Sequence, residues 1–338
     1  MDKKYKFAII GCGNIASRHA IQIKKSGELV AVCDIVREKA EKLSGENNAR
    51  CYTSIDDLLL AEKEADIISI CTPNGLHANH SILSLQAGKH VLCEKPMAIS
   101  SADGRKMIDE AKKNNKQLYV VKQNRYNPPV VFIKKLIDEN KLGKILSFEM
   151  NCSWNRPASY YNSSWKGNLQ LDGGILYTQF SHFIDLLCWM LGDLKTAKGI
   201  RKNYLHKNCI EFEDTGLAFL EMANGAIGTL HYSINSYKKN MEGSLILLGE
   251  KGTVKIGGQY LNELEYFEVE DETHPILSKG NSPNQYGFYE GSMSNHDKVY
   301  ENLLKAIDDP SHYFIDSEET LRTVEIIEKI YEASPLLS

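Results

Sequence analysis

The chain has 338 residues, 42 % of them apolar and 25 % charged, with 40 Lys+Arg against 44 Asp+Glu. That composition excludes a disordered or fibrous protein, and a length of this order buries a sizeable core in two domains. A net charge of -4 offers no broad basic surface for a phosphate backbone, so nucleic acid is not an expected partner.

No window approaches the ~18 consecutive apolar residues of a spanning helix, so no membrane partner is expected either. The eight cysteines form no CxxC pair and read as free thiols in a reducing cytoplasm; no HExxH or paired-cysteine spacing supports a metal site.

Residues 1–123 alternate short apolar runs with amphipathic ones. Phe7–Ile10, Leu29–Cys33, Ile67–Cys71, His90–Cys93 and Leu118–Val121 are strand-like, with helical patterns between most of them. This βαβ rhythm predicts a parallel sheet covered by helices on both faces. At Gln123 to Pro129 the pattern breaks, two prolines open a helix over Val130–Glu139, and the domain boundary is placed there, leaving 124–338 as the second domain.

Beyond the boundary, Ile145–Trp154, Thr215–Met222, Ala226–Ile234, Ser244–Leu248, Thr253–Ile256 and Leu261–Val269 read as strands of a largely antiparallel sheet. One helix is expected over Ile175–Leu191, two more over His296–Ile307 and Glu318–Ala333, and a loop over Gly280–Gly291. The fold class is therefore α/β: a doubly wound N-terminal domain followed by an α+β domain.

Gly11-Cys12-Gly13-Asn14-Ile15-Ala16 fits G-x-G-x-x-G/A directly after the first strand and opens a helix. Gly11 permits the tight turn, Gly13 lets backbone N–H groups approach a pyrophosphate, and Ala16 allows close helix–strand packing. Asp34, at the end of the second strand, can accept hydrogen bonds from both adenosine ribose hydroxyls and would repel a 2′-phosphate, which favours NAD over NADP.

Thr72, Pro73 and Asn74 end one parallel strand and Glu94-Lys95-Pro96 ends the next, at the sheet edge where such folds bind ligands. Thr72, Pro73 and Asn74 suit the nicotinamide side. His77 is either a ligand there or a solvent-facing helix residue. Lys95 either holds a sugar hydroxyl, acting as a base if partly desolvated, or is a surface lysine beside a carboxylate. Thr178, His182 and Asp185 share a face of an apolar helix, which suits either a satisfied core hydrogen bond or a site at a cleft.

Taken together, Gly11-x-Gly13-x-x-Ala16, Thr72-Pro73-Asn74-x-x-His77, Glu94-Lys95-Pro96 and Gly173-Gly174 with His182-x-x-Asp185 resemble the Gfo/Idh/MocA oxidoreductase family over nearly the whole chain. The resemblance implies an N-terminal Rossmann domain, a C-terminal domain whose open sheet mediates homo-oligomers such as dimers or tetramers, and NAD as cofactor. It adds Asn14, Ile15, His77, Glu94, Lys95 and Gln123 to the cofactor contacts.

Gln123 to Pro128, Trp154-Asn155-Arg156-Pro157 with Tyr160-Tyr161, and Trp165-Lys166-Gly167 with Asp172-Gly173-Gly174 look like the WlbA/WbpB branch, which oxidises the 3-hydroxyl of UDP-N-acetylglucosaminuronic acid. That branch implies a substrate site of Lys95, Arg125, Tyr126, Trp154, Arg156, Tyr160, Trp165, Lys166, Thr178 and His182. Arg156 and Lys166 would pair with a carboxylate or diphosphate, and the aromatic rings would pack on sugar or uracil.

In the implied hydride step, His182 acts as base, Lys95 stabilises the developing alkoxide, and Asp185 orients the imidazole; the first two roles are interchangeable. Thr178 stands where many members carry an acid or amide, and Lys166 where arginine is common in the branch. Rival readings are an inositol or free-monosaccharide dehydrogenase, an NAD-dependent glycosidase, and an NAD-sensing protein without turnover.

Overall fold

The fold comes from a computed structural model that describes residues 5–162, 165–285, 290–309, 311–312 and 315–338. It contains two compact units, residues 1–122 with 296–324 and residues 123–295 with 325–338. The sequence boundary at 123 omits the return of residues 296–324 to the first unit.

The first unit's parallel sheet comprises β1 (Tyr5–Ile10), β2 (Gly27–Cys33), β3 (Arg50–Tyr52), β4 (Ile67–Ile70), β5 (His90–Cys93) and β6 (Leu118–Val120), in the order β3-β2-β1-β4-β5-β6. The connecting helices are α1 (Asn14–Ser26), α2 (Arg37–Asn47), α3 (Ile55–Ala61), α4 (His77–Gln86) and α5 (Ser101–Lys113). Strands β1 and β4 are buried on both faces almost throughout, as a sheet covered by helices on each side requires.

Local chemistry sets the helix starts. Ser54 accepts the Asp57 N–H at 3.3 Å and Ser100 the Asp103 N–H at 3.4 Å, capping α3 and α5. Strand β3 escapes the sequence reading because three residues, two of them exposed, leave no apolar run to detect.

The second unit opens with α6 (Pro128–Asp138), whose first two residues are the prolines that stop the Rossmann pattern. Strand β7 (Ile145–Ser153) follows, then the short α7 (Leu169–Asp172), α8 (Ile175–Thr178) and α9 (Ser181–Leu191). The single helix expected over Ile175–Leu191 is thus two segments. Its hydrogen-bond ladder slips where the Phe180 N–H reaches back five residues to the Ile175 carbonyl.

Strands β8 (Leu194–Lys202), β9 (Thr215–Met222), β10 (Ile227–Ser233), β11 (Glu242–Gly249), β12 (Gly252–Gly257) and β13 (Glu263–Val269) complete most of an eight-stranded sheet ordered β13-β12-β11-β7-β10-β9-β8-β16. The ladders are mostly antiparallel, but β7 runs parallel to β10. The expected loop around 280–291 contains β14 (Pro283–Gln285) paired antiparallel with β15 (Glu290–Met293); residues 286–289 lie outside the described residues. Helices α10 (His296–Asp308) and α11 (Ser317–Glu332) lead to β16 (Leu336–Leu337), parallel to β8.

Candidate functional site

In the first unit, Gly11 has φ +93°, and a Cβ there would sit 2.7 Å from the Cys71 carbonyl carbon at the end of β4. Glycine is therefore imposed by this chain's own packing. Gly13 differs: a Cβ would meet no atom within 4 Å and its φ is ordinary, so nothing inside the chain demands glycine. A glycine with no internal reason, at the N-terminus of a 13-residue helix, fits a phosphate-bearing ligand that needs the backbone close.

Ala16 is fully buried under that helix, while Asn14 is exposed and Ile15 half-buried. One Asp34 oxygen accepts the Cys12 N–H at 2.8 Å and the other the Val36 N–H at 2.8 Å. The carboxylate thus shapes the glycine turn and keeps lone pairs for a ribose diol. These residues fit NAD.

At the next two strand ends, Thr72, Pro73 and Lys95 are half-buried and Asn74 is 5 % exposed. His77 is 1 % exposed, which removes the solvent-facing alternative. Its Nδ1 lies 2.7 Å from the Pro96 carbonyl and its Nε2 2.9 Å from the Thr72 carbonyl, so the ring ties two loops together. Burial lowers its pKa despite those bonds. The neighbouring His80, missed by the sequence reading, places Nδ1 3.0 Å from the Thr72 hydroxyl, and burial lowers its pKa to about 4.

The Lys95–Pro96 peptide is cis. Glu94 is buried, with His19 Nε2 2.8 Å and His296 Nε2 3.1 Å from one of its oxygens. Neither histidine stands in a motif, and nothing in the local sequence could have flagged them.

In the second unit, His182 is 2 % exposed near the start of α9, while Thr178 ends α8. Asp185 is held bidentately by Arg125, with Nε to Oδ2 at 2.7 Å and Nη2 to Oδ1 at 2.8 Å, and the guanidinium carbon lies 4.8 Å from the Trp189 ring centroid. Arg125 is 3 % exposed. Gln123 is also buried, and its carbonyl accepts from Asn295 at 3.1 Å; Tyr126 is half-buried.

Trp154 is 2 % exposed, donates its indole N–H to the Gln259 carbonyl at 3.0 Å and packs against Phe180, Phe183 and Tyr260. Arg156, equally buried, donates to the Asn155 carbonyl at 2.6 Å and to Asn240 Oδ1 at 3.1 Å, beside the Tyr160 ring. Lys166 Nζ stands 3.6 Å from the Tyr160 ring centroid, and Trp165 beside it is half-buried. Arg156, Tyr160 and Lys166 thus form one cluster with cationic character.

Asp172, part of the quoted motif but given no role by the sequence, closes this cluster. Fully buried, it accepts the Gly167 N–H at 2.9 Å and a short hydrogen bond from the Thr178 hydroxyl. Burial raises its pKa to about 6, against the hydrogen bonds and the Lys166 charge that lower it. The missing acid at position 178 is matched by a carboxyl touching that threonine. Among the described residues, His19, Glu94 and His296 form the one cluster with metal-ligand spacing.

Comparison with known proteins matches residues 5–122 to a model described as "Oxidoreductase family, NAD-binding Rossmann fold" and residues 130–255 to a GFO/IDH/MocA C-terminal domain. The WlbA dehydrogenase of Bordetella pertussis, solved with NADH and UDP-GlcNAcA, is 32 % identical with a TM-score of 0.87, covering 98 % of this chain and 96 % of that one. Its Chromobacterium violaceum counterpart, solved with the same two ligands, is 34 % identical with a TM-score of 0.88 over 98 % and 94 % of the two chains. The levoglucosan dehydrogenase of Pseudarthrobacter phenanthrenivorans is 25 % identical over 71 % of this chain, and the match spans 66 % of that relative's own length.

Proposed function

From its membership of the Gfo/Idh/MocA oxidoreductase family, to which this chain belongs, we propose that the protein oxidises a sugar hydroxyl with NAD, and that the hydroxyl is that on C3 of UDP-N-acetylglucosaminuronic acid. The observation that carries this reading is identity above 30 % over nearly the full length of two dehydrogenases solved with NADH and that nucleotide sugar. A place in bacterial surface-polysaccharide synthesis, in the cytoplasm and as a homo-oligomer, belongs to the same reading.

Gly11, Gly13, Asn14, Ile15 and Asp34 would hold the dinucleotide, with Thr72, Pro73, Asn74 and Gln123 toward its reactive end. NAD, when bound, accepts the hydride leaving C3. Removing that hydride requires loss of the hydroxyl proton, which His182 takes while the Lys95 ammonium stabilises the developing alkoxide charge; ketone, NADH and one proton balance the reaction. Asp185, whose carboxylate Arg125 clamps, orients the His182 imidazole. Arg156 and Lys166 supply positive charge for the uronate or diphosphate, and Tyr160 a face for packing.

A second reading, oxidation of a sugar without a nucleotide, draws on the levoglucosan dehydrogenase match. The test is NADH formation by the purified protein with UDP-N-acetylglucosaminuronic acid, levoglucosan and myo-inositol in parallel. Turnover confined to the nucleotide sugar supports the first reading; turnover of the others alone replaces it.

A further inference from the structure

Within the first unit, five side chains from four separate stretches of sequence form a buried polar chain that the proposed reaction does not use directly. Ser69 Oγ lies 3.1 Å from the Tyr300 hydroxyl, which lies 2.8 Å from His19 Nδ1. His19 Nε2 and His296 Nε2 both reach Oε1 of Glu94, at 2.8 and 3.1 Å, and Oε2 of the same carboxylate accepts the Lys95 backbone N–H at 3.2 Å. None of Ser69, His19, Glu94, His296 and Tyr300 is more than 5 % exposed.

A pattern with neutral imidazoles satisfies these contacts. Two Nε2–H groups donate to one carboxylate oxygen, the Tyr300 hydroxyl donates to His19 Nδ1, and Ser69 donates to the phenol oxygen. His296 Nδ1 is buried with no hydrogen-bond partner among the described residues, so a proton there would be an unsatisfied donor. Both rings are then neutral and Glu94 is the anion. The pKa shifts agree: burial alone would raise Glu94, but hydrogen bonds from the two histidines hold its carboxyl well below the usual range, while burial lowers His19.

We propose that His19 and His296 are positioning residues that lock the Glu94 carboxylate and, through its second oxygen, fix the Lys95 peptide for alcohol oxidation. This rests on the role given to Lys95 above. It also makes helix α10, contributed by the far end of the chain, a working part of the cofactor domain. Two imidazoles and a carboxylate are equally a donor set for a transition metal, but a metal would take the Nε2 lone pairs that this pattern uses to hold protons.

The test compares wild type with His296→Leu, which keeps bulk without a donor, and His296→Gln, whose amide nitrogen donates from a similar reach. Nitrogen-15 spectra of wild type should show both rings as Nε2–H tautomers, and exchange of the Lys95 amide proton should be slow in wild type and His296→Gln but fast in His296→Leu. With an accepted sugar, kcat should fall about tenfold in His296→Leu, with KM for NAD within about twofold, and recover in His296→Gln. Equal kcat and equal Lys95 exchange in the two variants overturns the proposal. So does a stoichiometric metal in the purified protein, or a ring protonated on Nδ1. If wild type oxidises no sugar, the functional reading fails while the tautomers and the Lys95 exchange still decide the clamp.

Discussion

Lys95 and His182 are asked for different things by the proposed chemistry, and their replacements should separate accordingly. His182→Asn removes a general base, so kcat should drop by about 10²–10⁴; Lys95→Met removes the charge that meets the alkoxide and should act on kcat at least as strongly. Direct titration should find NAD affinity little changed in His182→Asn. Near-normal turnover in both variants would refute the assignment.

Asp172 carries the pH prediction. Its carboxyl titrates near 3.8 when unperturbed and at about 6 in the fold, so over that interval the folded state binds the proton more tightly than the unfolded chain. The group's stabilising contribution is complete below pH about 4 and is lost as pH rises through about 6. Melting temperatures of Asp172→Asn against wild type should therefore show a shallower decline across that window; parallel curves would deny it.

At the scale of elements, the broken helix matters most. The apolar periodicity of Ile175–Leu191 is continuous, and sequence alone extends one helix through it; the slip at Phe180 arises from local hydrogen bonding that no residue type announces. By contrast, the glycine turn, Asp34 and the strand ends at Thr72 and Lys95 were legible because each answers a backbone or charge requirement visible over a few residues. Strand β8 was not, since Leu194–Lys202 is mostly lysine, arginine and small residues, with no apolar run to detect.

The Arg125–Asp185 pair also escaped, because its partners are 60 residues apart and each resembles a ligand contact when read alone. Arg125→Met removes the bidentate partner of a buried carboxylate and should cost about 3–5 kcal/mol in denaturant unfolding. A variant of unchanged stability with a raised substrate KM would instead mean that the guanidinium meets substrate.

At the scale of the molecule, one face of the second unit's sheet exposes large apolar side chains. Phe219 is 72 % and Ile227 60 % exposed, and their strands' register places them on the same side as Leu217 and Ile200. Such a patch is costly to leave wet, and a second copy of this chain is the proposed cover. Phe219→Lys should shift the mass measured by light scattering toward the monomer; an unchanged mass would locate subunit contact elsewhere.

The return of residues 296–324 to the first unit has a temporal meaning. Tyr300 meets the Phe7 ring on β1, and Leu321 lies against Gly104 on α5. During synthesis the nucleotide-binding unit therefore leaves the ribosome unfinished, and Glu94 waits without His296 until residues 123–295 have been made. A truncated nascent product accordingly holds the dinucleotide fingerprint without the finished environment of its neighbouring lysine.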